Sequence, residues 1–172
     1  MLRLLVIAAF LTVSTPVMAA KVGQKVPNFN LKDSKGTDFT LHSFKKKVLF
    51  FWYEGKNSKE QNRWLKNRLK KIYDTNQINS KLWESIGIAN FQETAVPNFI
   101  INMVIKSEMK KTNATILCDR TGEMMQKWGF RNGRSNIYLL DKTRRLRWKT
   151  SGPLSKKQGK RLIRLLRRLT KQ

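Results

Sequence analysis

The side chains able to do chemistry are few and far apart. The sequence holds one cysteine, Cys118, and one histidine, His42. One thiol cannot close an internal disulfide or form a Cys-x-x-Cys pair, and it cannot build a cysteine-rich zinc site. A zinc hydrolase, or a Ser-His or Cys-His triad, would have to draw on His42 alone. A lone histidine ahead of a loop reads as a surface or packing residue, so no catalytic residue, metal or cofactor is expected. Gly55-Lys56 invites comparison with a phosphate-binding loop. The pattern fails, because Phe50 stands where the first glycine belongs and Asn57 where Ser or Thr belongs. What remains is charge. Thirty-six Lys and Arg face eleven Asp and Glu, a formal net of +25. Such a surface repels itself and attracts polyanions: nucleic acid, anionic lipid headgroups, lipopolysaccharide or an acidic protein. A merely solvated basic surface has the same composition.

The first residues set the compartment. Met1-Leu2-Arg3 is a short basic start, Leu4 to Val13 is almost wholly apolar, and Val17-Met18-Ala19-Ala20 supplies small residues for a peptidase. This is the pattern of a secretory signal peptide, with cleavage expected after Ala19. The apolar stretch is well short of the roughly 20 residues that span a bilayer. The expected organisation is a cleaved segment 1–19 and one domain over 20–172. Export, to a bacterial periplasm by this reading, separates the chain from genomic DNA and makes nucleic acid a poor partner. It also places one free thiol in an oxidising space, where burial suits it best.

The elements that must position any site alternate along the rest of the chain. Val48-Leu49-Phe50-Phe51-Trp52-Tyr53 is apolar without alternation, as a central strand covered on both faces requires. Asn57 and Ser58 offer N-caps, with Glu60 and Gln61 as capping-box partners. The helix they open, to about Tyr73, places Trp64, Leu65, Leu69 and Ile72 on one face. Ile86 to Phe91 predicts a strand. Pro97 opens a helix to about Lys110, with Phe99, Ile100, Met103 and Val104 expected inward. Ala114 to Cys118 predicts a strand, Asp119 to Gly122 a turn, and Glu123 to Trp128 a short helix. Asn136–Leu140 and Leu146–Thr150 predict a hairpin. Ser155 and Gln158 form a capping box, with Leu154 as a staple, for a last helix whose Leu162, Ile163, Leu166 and Leu169 share a face. The order predicts an α/β three-layer α/β/α sandwich around a mixed sheet.

That order resembles the thioredoxin-like superfamily, nearest its AhpC/TSA, redoxin-like branch. Gly23-Gln24-Lys25-Val26-Pro27-Asn28-Phe29-Asn30-Leu31 is similar to that branch's opening G-x-x-x-P-x-F-x-L. Tyr138 to Lys142, Leu146-Arg147-Trp148 and Gly152-Pro153-Leu154-Ser155 resemble its last hairpin and helix entry. Ala95-Val96-Pro97, Asp119 to Gly122, Trp128 and the same C-terminal stretch resemble the YtfJ family of small exported proteins, which implies fold and compartment rather than an activity. The resemblance implies a redox motif just after the central strand. Aligning Phe51-Trp52 with the usual Phe-Trp puts Lys56-Asn57-Ser58-Lys59 there, with Lys56 and Lys59 at the cysteine positions. Neither lysine can attack a disulfide or reduce a peroxide. The cis-proline position falls at Ser135, where a trans peptide is expected. Arg144 stands where a turn glycine is usual, so a positive φ would add about 1 kcal/mol of strain. Cys118, at a different strand end, is expected to be a buried small apolar residue.

The last helix carries Lys156, Lys157, Lys160, Arg161, Arg164, Arg167 and Arg168 without an acid, opposite its leucines. This is either a solvated outer face or a contact for a polyanion such as an anionic membrane surface. The five tryptophans are too scattered for a base-stacking platform. Three functions follow. The first is a non-catalytic exported module binding a protein or an anionic envelope component. The second is a thiol-disulfide or peroxide oxidoreductase using Cys118. The third is a polyanion binder.

Overall fold

The structure, a computed structural model, describes residues 20–93, 96–112 and 114–172. The expected signal peptide and Ala95 lie outside the described residues. The chain forms strands β1 (Leu31–Asp33), β2 (Asp38–Phe39) and β3 (Val48–Glu54), helix α1 (Arg63–Asp74), strand β4 (Trp83–Asn90) and helix α2 (Asn98–Thr112). Strand β5 (Thr115–Asp119), helix α3 (Glu123–Trp128), the hairpin β6 (Asn136–Leu140) and β7 (Leu146–Ser151), and helix α4 (Lys156–Lys171) follow. The strands make one mixed sheet in the order β2-β1-β5-β4-β3-β6-β7. Strands β3, β4 and β5 are parallel, while β6 and β7 return antiparallel.

Strand β3 is central because its six apolar residues can be satisfied only between two layers. Val48, Phe50 and Trp52 face one way and meet Leu65, Leu69 and Ile72 of α1 and Leu162, Ile163, Leu166 and Leu169 of α4. Leu49, Phe51 and Tyr53 face the other way and meet Phe29, Phe44, Met124 and Trp128. All six are buried. Burying a large apolar side chain contributes about 1.5–3 kcal/mol, so this strand anchors both cores. Helix α4 begins at the expected capping box. Gln158 N donates to Ser155 Oγ at 3.2 Å and Ser155 N donates to Gln158 Oε1 at 2.9 Å.

Two expectations are corrected. Asn57 and Ser58 do not cap α1, because residues 56–62 form turns and the helix begins only at Arg63. Phe99, Ile100, Met103 and Val104 do not face the core. Helix α2 is apolar around its first two turns, so the pattern alone does not choose a face. The sheet takes Ile101, Ile105 and Met109, and the other four are left exposed. At Arg144 φ is positive, at 68°. Its guanidinium donates to the carbonyls of Lys47, at 2.8 Å, and Phe44, which ties the hairpin to the loop before β3.

Helix α4 crosses α1 closely where it lacks a side chain. A Cβ at Gly159 would lie 2.1 Å from Cη2 of Trp64. The same indole carries the Lys156 ammonium 4.2 Å from its ring centre. Gly159→Ala gains up to about 1 kcal/mol of helix propensity, but overpacking costs about 1–3 kcal/mol. The variant is therefore expected to unfold at lower urea than wild type. Adding Trp64→Leu should recover most of that loss, and a double variant no better than the single one would contradict this packing.

Candidate functional site

The end of β3 is where the sheet delivers a side chain to the start of α1. Gly55 follows Glu54, and the next seven residues fold onto themselves. The amides of Ser58 and Lys59 donate to Gly55 O at 3.2 Å, and Gln61 N donates to Ser58 O at 3.1 Å. Ser58 is buried, and its Oγ accepts from Gly55 N at 3.0 Å. Lys56, Asn57 and Lys59 point to solvent. Three amides of this segment, those of Ser58, Lys59 and Gln61, therefore bond to the chain's own carbonyls. They are not presented as a cluster of free donors for a thiolate or an anion.

Behind these turns lies a buried polar network. Ser135 Oγ donates to Glu54 Oε1 at 2.6 Å, and Asn62 Nδ2 donates to Ser135 Oγ at 3.0 Å. Asn62 also donates to Gly152 O at 3.1 Å and accepts from Leu154 N at 2.9 Å. Gln61 accepts from Ser135 N at 3.0 Å and donates to Gly133 O at 3.2 Å. Lys66 forms an ion pair with Glu54 and donates to Lys59 O. Asn136 pins the neighbouring loop by donating to the carbonyls of Arg131 and Arg134, both at 2.8 Å. Asn62, Ser135 and Asn136 are all buried. The loop of Ser135 is thus stitched to α1 by side chains. The peptide bond before Ser135 is trans, and none of the described residues follows a cis bond.

This network explains why Asn62 and Gln61 do not cap the helix. Their amides are spent across the chain on the 133–135 loop and the entry to α4. The sequence pointed to Lys56-Asn57-Ser58-Lys59 and Ser135. It did not single out Glu54 or Asn62, whose partners Ser135 and Gly152 lie about seventy to ninety residues away, and it read Gln61 only as a helix cap. A carboxylate ending an apolar strand was the available signal.

Two open hollows lie elsewhere. One, of about 550 Å³, is lined by Ser34, Phe39, Lys106 and Met109 among others. The other, of about 420 Å³, lies between Val22, Arg147 and the end of α4. Neither includes Glu54, Ser58 or Ser135. Among the described residues no group of His, Cys, Asp and Glu is arranged to hold a metal.

Cys118 lies on β5, two strands from β3. It is buried under α2 with Phe91 and Ile105. Burial pushes its thiol up to about 11, against the pull of Arg120. The thiolate, the reactive form, is therefore scarce at neutral pH. On α4 all seven cations named from the sequence are exposed. Among the described residues none of them has a carboxylate within ion-pair distance. Lys156 alone is engaged, over Trp64.

The sheet order, the helix that follows β3 and the terminal hairpin and helix define a thioredoxin-like fold of the redoxin type. The AhpC/TSA family matches residues 22–149, and the chain belongs to that family. No curated protein matches it. Among solved structures it is similar to a protein described as the thiol:disulfide interchange protein DsbE of Chlorobium tepidum. That match has 14% identity and a TM-score of 0.65, covering 88% of this chain and 99% of that one. The thiol peroxidase of Chromobacterium violaceum matches at 14% identity and a TM-score of 0.62, over 86% and 88%. StoA of Bacillus subtilis matches at 15% identity and a TM-score of 0.58, over 80% and 96%. At these identities the likeness is one of fold.

Two measurements check this site. Cys118 in the folded protein is expected to react with a thiol reagent at pH 8 roughly a hundredfold or more slowly than in urea. Equal rates would show an accessible thiol. Burial also raises the Glu54 carboxyl above the ordinary glutamate range, despite Lys66 and the Ser135 hydrogen bond. A carboxyl raised in the folded state holds its proton more tightly there. Its contribution is fully present below the unfolded glutamate range and is lost as pH rises through the raised value. Glu54→Gln keeps an acceptor for Ser135 and removes the titration. From about pH 4 upward the wild-type urea midpoint should fall relative to the variant. Parallel curves would contradict it.

Proposed function

We propose that this chain is an exported thioredoxin-fold module without thiol-redox chemistry, akin to the YtfJ family, that binds a protein or an anionic component of the cell envelope. One observation carries the reading. The resemblance puts Lys56 and Lys59 where this fold would present a reactive thiol, and they sit on a turn backed by the hydrogen bonds of Glu54, Asn62 and Ser135. Read by the resemblance as the cis-proline position, Ser135 is hydrogen-bonded to Asn62 and Gln61 rather than left open to a bound polypeptide.

Disulfide exchange proceeds through a thiolate and a mixed disulfide, and a second thiol resolves it. This sequence has one thiol, and it lies elsewhere. The similar proteins from Chlorobium tepidum and Chromobacterium violaceum are named for thiol chemistry. Their fold supports a redoxin ancestry, while the single buried cysteine argues against the same activity. Export agrees with the N-terminal pattern. Binding through charge agrees with the exposed cations of α4.

The test uses the mature chain, whose first residue should be Ala20, recovered from the extracytoplasmic fraction. It is expected to add nothing to insulin reduction by dithiothreitol or to peroxide consumption. Turnover above background that disappears in Cys118→Ser would overturn the non-catalytic reading.

A further inference from the structure

Three helices share one side of the sheet. Helices α1 and α4 pack on Val48, Phe50 and Trp52. The register pairs Glu54 with Ala89 and Ala89 with Cys118, which places Ala89 and Cys118 on that same side. Helix α2 packs there through Ile101, Ile105 and Met109. The outer surfaces of α4, α1 and α2 therefore form one continuous layer facing away from the sheet.

That layer has two properties that belong together. At the α2 side it exposes Phe99, Met103, Val104 and Ile100, which are 65%, 60%, 57% and 37% accessible. A helix apolar on both sides needs an apolar partner on both, and only the inner one is supplied here. At the α4 side it exposes cations with no acid among them, Arg164, Arg167 and Arg168 included. Asp74 at the end of α1 is already paired with Lys70, and Glu60 in the turn before α1 with Arg63.

The occupant must offer negative charge and apolar depth on one surface. A second copy of this chain brings +25 against +25. A nucleic acid would satisfy α4 and leave the α2 side chains in water. An anionic phospholipid bilayer supplies both, with headgroups outside and acyl chains just beneath. We propose that this helical layer docks on an anionic phospholipid bilayer, with the α4 cations on the headgroups and Phe99, Ile100, Met103 and Val104 at the acyl boundary. The proposal rests on the exported, envelope-binding part of the reading above. Among the described residues no helix is long and apolar enough to cross a membrane, so the contact is peripheral.

Vesicle flotation of the mature chain tests this. One set of vesicles is phosphatidylcholine, and the other is phosphatidylcholine with a quarter phosphatidylglycerol. Wild type should float with the anionic set only. Arg164→Gln, Arg167→Gln and Arg168→Gln together should lower partitioning at low salt on the order of a hundredfold. Phe99→Ser with Met103→Ser, the serine pair, should lower the fraction that survives half-molar sodium chloride about tenfold. Circular dichroism should show both variants folded.

Wild type that stays off anionic vesicles overturns the proposal. So does a serine pair that floats like wild type in both salts, or a wild-type dimer that the serine pair dissolves. Insulin reduction through Cys118 together with flotation would remove the non-catalytic reading and support the membrane face. An inactive chain that does not float would remove the membrane face alone.

Discussion

Strand β3 has no charged side chain from Val48 to Tyr53, and burying it on both faces is the requirement from which the architecture follows. Successive side chains of a strand point to opposite faces, so one strand seeds two cores. Helices α1 and α4 cover Val48, Phe50 and Trp52. The N-terminal segment and α3 cover Leu49, Phe51 and Tyr53. The parallel neighbour β4 and the antiparallel neighbour β6 satisfy its backbone on both edges. Right-handed crossovers between the parallel strands β3, β4 and β5 then place α1 and α2 on one side.

The same burial governs the strand end, where the polar residues begin. Glu54, Asn62, Ser135 and Asn136 are held where water is scarce, and a buried polar group without a partner is costly. Each finds its partners in another of these side chains or in a loop carbonyl. The result joins β3, α1, the 131–135 loop and the entry to α4. Here the junction serves to hold four segments together, and the thiol is two strands away under α2.

Function in this chain is therefore better sought on the surface than in a pocket. The helices that protect one face of the sheet also gather the exposed cations of α4 beside the uncovered apolar side of α2. Charge draws a partner from a distance of about a Debye length, while apolar contact acts only on touching. One layer carries both, and neither belongs to the hydrogen-bonded junction at the end of β3.

Sequence alone determined the elements whose signals are local. The unbroken apolar run of β3 marks a central strand. Ser155 and Gln158 mark the start of α4, and the leucine spacing sets its inner face. The cysteine count excludes a disulfide within the chain. Tertiary structure decided what depends on distant partners. The pattern of α2 offers two apolar sides, and only the sheet selects Ile101, Ile105 and Met109 as the inner one. Asn57 and Ser58 look like helix caps, but Gln61 and Asn62 bond to residues far along the chain and hold the helix start back to Arg63. Local spacing records propensity, whereas which competing hydrogen bond or apolar face wins is settled by the neighbour that the fold brings up against it.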